Sequence, residues 1–125
     1  MPISGTCYDK PTAGWNALVR IIARKTLRDF VESLRGNKDQ KAVKSALDSW
    51  FHEVRTSDWH RPADVTASYA SASIVGNDRV VFNIQGNAYR LVVAVDYQRQ
   101  VVFIKWLGTH KQYDRIDVTE VKFGN

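Results

Sequence analysis

The sequence is poor in cysteine, methionine and proline, and it has no long apolar run. Its one cysteine, Cys7, has no partner for a disulfide within the chain, and no Cys/His group stands at zinc-ligand spacing. A disulfide scaffold and a structural zinc site are therefore not expected. No stretch approaches the roughly 20 apolar residues that cross a bilayer. The first residues lack the basic-then-apolar pattern of a secretory signal, so the cytoplasm is the expected compartment and no membrane partner is expected. Internal repeats and low-complexity tracts are missing as well, which argues against a solenoid or a disordered tail.

Acidic residues are also in short supply. Thirteen Asp/Glu face eighteen Lys/Arg, a net charge of +5 with a pI near 9.5. Such a surplus favours polyanionic partners, because basic side chains displace condensed counterions from phosphates. The competing reading is a merely soluble surface. A basic amphipathic helix with exposed aromatics, which would mark an interfacial membrane binder, is missing. What remains is ordinary: 125 residues, 44% apolar and 25% charged, suit one globular domain with one core.

Met1 to Asn16 contains Pro2, Gly5, Pro11 and Gly14 without an apolar period. Residues 1–18 are expected to be a flexible arm or extension, with a native start near Val19, and residues 19–125 a single domain. Val19 to Ala23 is a short β-prone run. Thr26 followed by Asp29 predicts a helix start there, and Leu27, Phe30, Val31 and Leu34 share one face. Gly36-Asn37 closes that helix. A second helix is expected from about Asp39 to Thr56, with Val43, Leu47, Trp50, Phe51 and Val54 as its core stripe. Pro62 ends any continuation, Trp59 is expected to fold back, and Val65 to Tyr69 reads as a weak strand.

From Asp78 the period becomes two. Strands are expected over 78–84, 88–96 and 101–106, joined by connections too short for anything but an antiparallel meander. If Gly86-Asn87 is a type II′ turn, opposed residue numbers sum to 173. Asn83 then faces Arg90, Val81 faces Val92, and Phe82 faces Leu91. One sheet face collects Phe82, Ile84, Tyr89, Leu91 and Val93; the other carries Arg79, Asn83 and Arg90. The expected architecture is α+β, with two N-terminal helices packed on an antiparallel meander sheet.

The clustered cations suggest an anionic partner, against the plainer reading of an Arg90 ion pair with Asp96 or Asp114. Beyond the third strand, Thr109 and Gln112 make a capping-box pattern. A short helix should follow, with His110, Tyr113 and Asp114 on one side and its first amides offering a phosphate seat. An imidazole ordinarily titrates at about 6.5, suited to general acid or base work.

Three segments carry a family resemblance: Val19–Phe30 (VRIIARKTLRDF), Asp78–Val93 (DRVVFNIQGNAYRLVV) and Gly108–Asp114 (GTHKQYD). Together they resemble the HigB toxins of the RelE-like superfamily, over roughly Val19 to Ile116. The resemblance implies a RelE-like microbial RNase fold and the toxin half of a type II toxin–antitoxin pair. It further implies a HigA-like helix-turn-helix antitoxin and translation-inhibiting cleavage of mRNA, commonly in the ribosomal A site. At matching positions it implies Arg90 as the phosphate-binding arginine, with His110 and Tyr113 as further catalytic groups. Arg79, Asn83 and Lys111 are expected to touch RNA. Since RNA brings its own 2′-hydroxyl nucleophile, neither a metal nor another cofactor is expected. The alternative function is a non-catalytic RNA- or ribosome-binding module using the same basic face.

Overall fold

The computed structural model describes residues 18–120. In chain order the elements are β1 (Arg20–Ile22), α1 (Arg24–Ser33), α2 (Gln40–Arg55), α3 (Pro62–Ser68), β2 (Ser73–Val75), β3 (Arg79–Ile84), β4 (Tyr89–Asp96), β5 (Val101–Thr109) and α4 (His110–Tyr113). The fold is α+β. Among the described residues its sheet has five strands in the order β1-β5-β4-β3-β2, with β1 parallel to β5 and every other pair antiparallel. The sheet is thus mixed, which corrects the expectation of a purely antiparallel one. Parallel neighbours require a crossover, and here the whole chain between β1 and β5 supplies it. The expected arm lies outside the described residues except for Leu18, whose N–H donates to the Arg55 carbonyl at 2.9 Å.

Local chemistry explains most element ends, with two surprises. α1 starts at Arg24 rather than Thr26, because Ala23 leaves β1 in extended geometry and already serves as the N-cap. Thr26 lies in the first turn, its N–H donating to the Ala23 carbonyl, and Asp29 accepts from Lys25 at 2.6 Å instead of capping. Gly36, at φ 86°, takes the left-handed conformation after that helix. α2 buries the expected stripe of Val43, Leu47, Trp50, Phe51 and Val54.

The second surprise is α3, which replaces the weak strand expected at Val65–Tyr69. Pro62 does not merely stop a helix. It opens one, because a first-turn residue needs no N–H partner, and the Arg61 before it is extended as the ring demands. Asp64 accepts from the His60 N–H at 2.9 Å, and Val65 is fully buried. Trp59 is 2% exposed and stacks on Phe82, with ring centroids 6.2 Å apart.

The meander register opposes Asn83 to Arg90, Val81 to Val92 and Phe82 to Leu91. The strands are joined by four residues, 85–88, rather than by a two-residue type II′ turn; the Ala88 N–H donates to the Gln85 carbonyl at 3.2 Å, and Gly86 has a positive φ of 64°. Gln85 is left-handed too, at φ 53°, which the turn pattern does not foretell. β5 runs three residues beyond the expected 101–106, since pairing with β4 continues to Tyr89↔Thr109. A bulge follows Val92↔Trp106, and the next pair is Val93↔Ile104, so Lys105 has no opposite residue.

The main core lies between α1, α2 and α3 and one face of this sheet. Phe82, Ile84, Tyr89, Leu91 and Val93 are all buried there. Trp50 meets Phe82 edge-on at 5.4 Å, and Phe30 meets Tyr89 edge-on at 5.9 Å. Residues on the other face therefore stand away from the helices. Among the described residues no helix is long and apolar enough to cross a membrane.

Candidate functional site

Alternation along β3 and β4 sends Arg79, Val81 and Asn83, with Arg90, Val92 and Ala94, to the face away from the helices. This face is not a bare cationic field. Val81, Val92 and Ala94 are buried on it, so its polar groups divide between the two ends. Asn83 and Arg90 are paired at one end. Arg79, opposite Ala94, stands four residues further along, about 13 Å at the usual strand rise.

The structure does not bring Arg79 to Arg90. The Arg79 side chain is only 12% exposed, with Nε 3.8 Å from Asp78 Oδ1. It lines a cavity of about 510 Å³ together with Asp78, Asp96, Phe103 and Lys105. Tyr97 at this end has its pKa raised, by burial first and then by the Asp78 and Asp64 carboxylates. Those carboxylates oppose an anion here. The expected grouping of Arg79 with Arg90 is thereby corrected, because equal face does not mean equal height along the strand.

At the other end the parts converge. Arg90 Nη1 donates to the Asn87 carbonyl at 2.9 Å and to the Tyr89 carbonyl at 3.4 Å, which ties the guanidinium to the preceding turn. Its Nε and Nη2 make no hydrogen bond within the described residues, and no carboxylate there is in ion-pair range. The plainer reading of an Arg90 pair with Asp96 or Asp114 is not realised: Asp96 stands at the far end of β4, beside Arg99, and no ion pair joins Arg90 to Asp114 within the described residues. Asn83 faces Arg90 in register without bonding it. Arg90 Cζ lies 6.0 Å from the centroid of the Tyr113 ring, which in turn is 6.3 Å from the Trp106 ring at 54°.

Gly108 makes this convergence possible. It sits directly across from Arg90. A β-carbon at that position would meet the Trp106 ring at 2.6 Å and Gln112 Oε1 at 2.7 Å. No side chain larger than hydrogen fits while the indole lies there. Trp106, Gly108 and the Asn87 carbonyl were not among the residues expected at the site. The signal for the glycine was available in its position at a strand end beside a tryptophan two residues away.

α4 is anchored at its start in three ways. Thr109 Oγ1 accepts from the Gln112 N–H at 3.2 Å, Gln112 Oε1 accepts from the Thr109 N–H at 2.9 Å, and the His110 N–H donates to the Ala88 carbonyl at 3.1 Å. The capping box is present as its spacing predicts. Two of the first-turn amides expected to offer a phosphate seat, those of His110 and Gln112, are thereby already engaged. His110 joins the site through its backbone, with its imidazole exposed, and Lys111 is exposed beside it. Arg90 and Tyr113 are in contact, whereas His110, Lys111 and Asn83 border them.

A family model for HigB_toxin, described as the RelE-like toxic component of a toxin-antitoxin system, matches residues 43–116. That span is more than half of the chain. The chain belongs to the HigB toxin family. The match runs from α2 through α4 and contains Asn83, Arg90, His110, Lys111 and Tyr113, whereas the resemblance noted above also took in β1 and α1. Comparison with curated proteins returns no match. As a HigB-family toxic component, the chain has an antitoxin as its expected counterpart, and the Arg90–Tyr113 corner lies inside the matched region.

Proposed function

We propose that this HigB-family toxin is an endoribonuclease that cleaves mRNA on the ribosome, with Arg90, Tyr113 and His110 as its catalytic groups. One observation supports this above the others. Arg90 is held by a turn carbonyl, lacks a carboxylate partner among the described residues, and faces a tyrosine at the mouth of a capped helix. A guanidinium with two unengaged nitrogens, Nε and Nη2, is a ready partner for a phosphate, to which it can bond bidentately.

Cleavage then needs four acts. The RNA 2′-oxygen attacks phosphorus, forming one P–O bond as the bond to the 5′-oxygen breaks. The attacking hydroxyl gives up a proton, the departing 5′-oxygen gains one, and the added negative charge on phosphorus is stabilised. Arg90 takes the last task, where preorganised donors have the largest effect. His110 is the acid or base, free to approach the substrate because its ring is exposed. Tyr113 orients the phosphate or stacks on a base, and Asn83 and Lys111 touch the ribose and backbone. Arg79 has no part in this step. Alignment of the message by the ribosome would supply the entropic term that so open a site lacks. The proposed partners are mRNA in the ribosomal A site and a HigA-like helix-turn-helix antitoxin, met in the cytoplasm.

Primer extension on a translating mRNA tests this reading. New 5′ ends within codons are expected with the wild type. They should fall by about 10²- to 10³-fold with Arg90→Ala, the usual cost of one lost charge-stabilising donor. A folded wild type that binds ribosomes and makes no new ends would replace this reading with the non-catalytic binding module.

A further inference from the structure

On the side of the molecule away from Arg90, α1 and α2 enclose a groove of about 660 Å³. Its floor is apolar, formed by Leu27, Val31, Leu47 and Phe51. Its rim is basic, with Arg24, Arg28, Lys41 and Lys44 against two carboxylates, Glu32 and Asp48. Both carboxylates are already matched within the helix layer. Asp48 accepts from Lys44 at 2.7 Å, and Glu32 is bonded by Arg35. Arg24 lies over the Phe51 ring, 4.6 Å from its centroid. Arg28 and Lys41 are exposed and have no carboxylate partner among the described residues.

We propose that this groove is the docking site for an acidic amphipathic segment of the antitoxin. Charge complementarity selects the sign of the occupant, since three cations, Arg24, Arg28 and Lys41, are left unneutralised around one cleft. The floor selects its class. An RNA backbone gains nothing from four aliphatic and aromatic side chains, whereas a peptide helix with one or two apolar residues between its carboxylates covers the floor and meets the rim together. Placement on the helix layer leaves the Arg90 face uncovered, so the two surfaces can be altered independently. The inference rests on family membership and not on the cleavage chemistry proposed above.

The test uses the full-length toxin and its full-length antitoxin, purified from their native complex and separated. Titration of wild type and of the double variant Arg28→Glu/Lys41→Glu should show the dissociation constant rising at least about tenfold, the rise shrinking as salt is added. Val31→Thr keeps the side-chain size while adding a hydroxyl to the floor, and should weaken binding several-fold with little dependence on salt. Cleavage in the primer-extension assay should stay within about twofold for both variants, because neither touches the Arg90 corner. Unchanged antitoxin affinity in both variants would overturn the proposal. So would loss of ribosome binding with antitoxin affinity intact, which would assign the groove to nucleic acid. A wild type that makes no RNA ends would defeat the cleavage reading and leave this titration unaffected.

Discussion

The two faces of the sheet are built from the same strands and obey different rules. On the helix-covered face, Phe82, Leu91 and Val93 are packed by size and burial against one another and the helices. On the opposite face the same strands present a guanidinium, an indole and, through α4, a phenol ring, arranged by hydrogen bonds and one missing side chain. Adjacent residues, Arg90 and Leu91, therefore serve separate ends. Alternation with period two lets one short segment carry a core and a site with little interference between them.

That separation can be challenged by substitution. Leu91→Ala, at a fully buried position, should lower stability by about 2–5 kcal/mol, measured by urea denaturation. The activity per folded molecule should remain that of the wild type; a loss of chemistry at full folding would show that the faces are coupled. Gly108→Ala is expected to cost about 1–3 kcal/mol, because the new methyl must displace the Trp106 ring. Here activity should fall as well, as Tyr113 loses its neighbour. Retained stability and activity would mean the indole has another place to go.

Thr109→Ala removes one half of the capping box and should cost about 1 kcal/mol. Faster amide hydrogen exchange confined to α4 would sharpen the contrast, and exchange spreading into β4 would blur it. The smallest effect is expected from alkali on the covered side. Burial, and then the Tyr69 hydroxyl donating to Glu53 at 2.5 Å, raise the Tyr69 pKa above its ordinary value. The folded protein thus holds this proton more tightly than the unfolded chain. Its contribution is complete below about pH 10 and is lost as pH climbs through the folded value. Tyr69→Phe should flatten the decline in stability above pH 10 without abolishing it, since Tyr89 and Tyr97 are shifted in the same direction.

The sequence was most informative where the determining forces are local. The Asn83–Arg90 pairing follows from the position of the Gly86-Asn87 turn and a period of two, although the connection is four residues long, and the Thr109–Gln112 box follows from a spacing of three. Features set by distant neighbours were not legible. The parallel seat of β1 beside β5 depends on strands that lie far apart in the chain. The height difference between Arg79 and Arg90 could have been counted from the register, but the burial of Arg79 among Asp78, Asp96 and Phe103 could not. The bulge at Lys105 interrupts an alternation that looks continuous on paper. Pro62 has two local meanings, terminator and first-turn residue, and what decides between them is the tertiary cover over Val65.

The pairing of β1 with β5 also sets an order of events during synthesis. β1 comes first among the described strands, and its only sheet neighbour among the described residues is β5, the last of them. A nascent chain that has completed β4 already carries Arg90 but lacks Gly108, Trp106 and Tyr113, and β5, which pairs with β1, has yet to be made. Such non-local strand pairings form late. On the cleavage reading, a polypeptide caught before its final strand is harmless to the ribosome making it. On that reading the Arg90–Tyr113 corner exists only once β5 has been made and has inserted between β1 and β4.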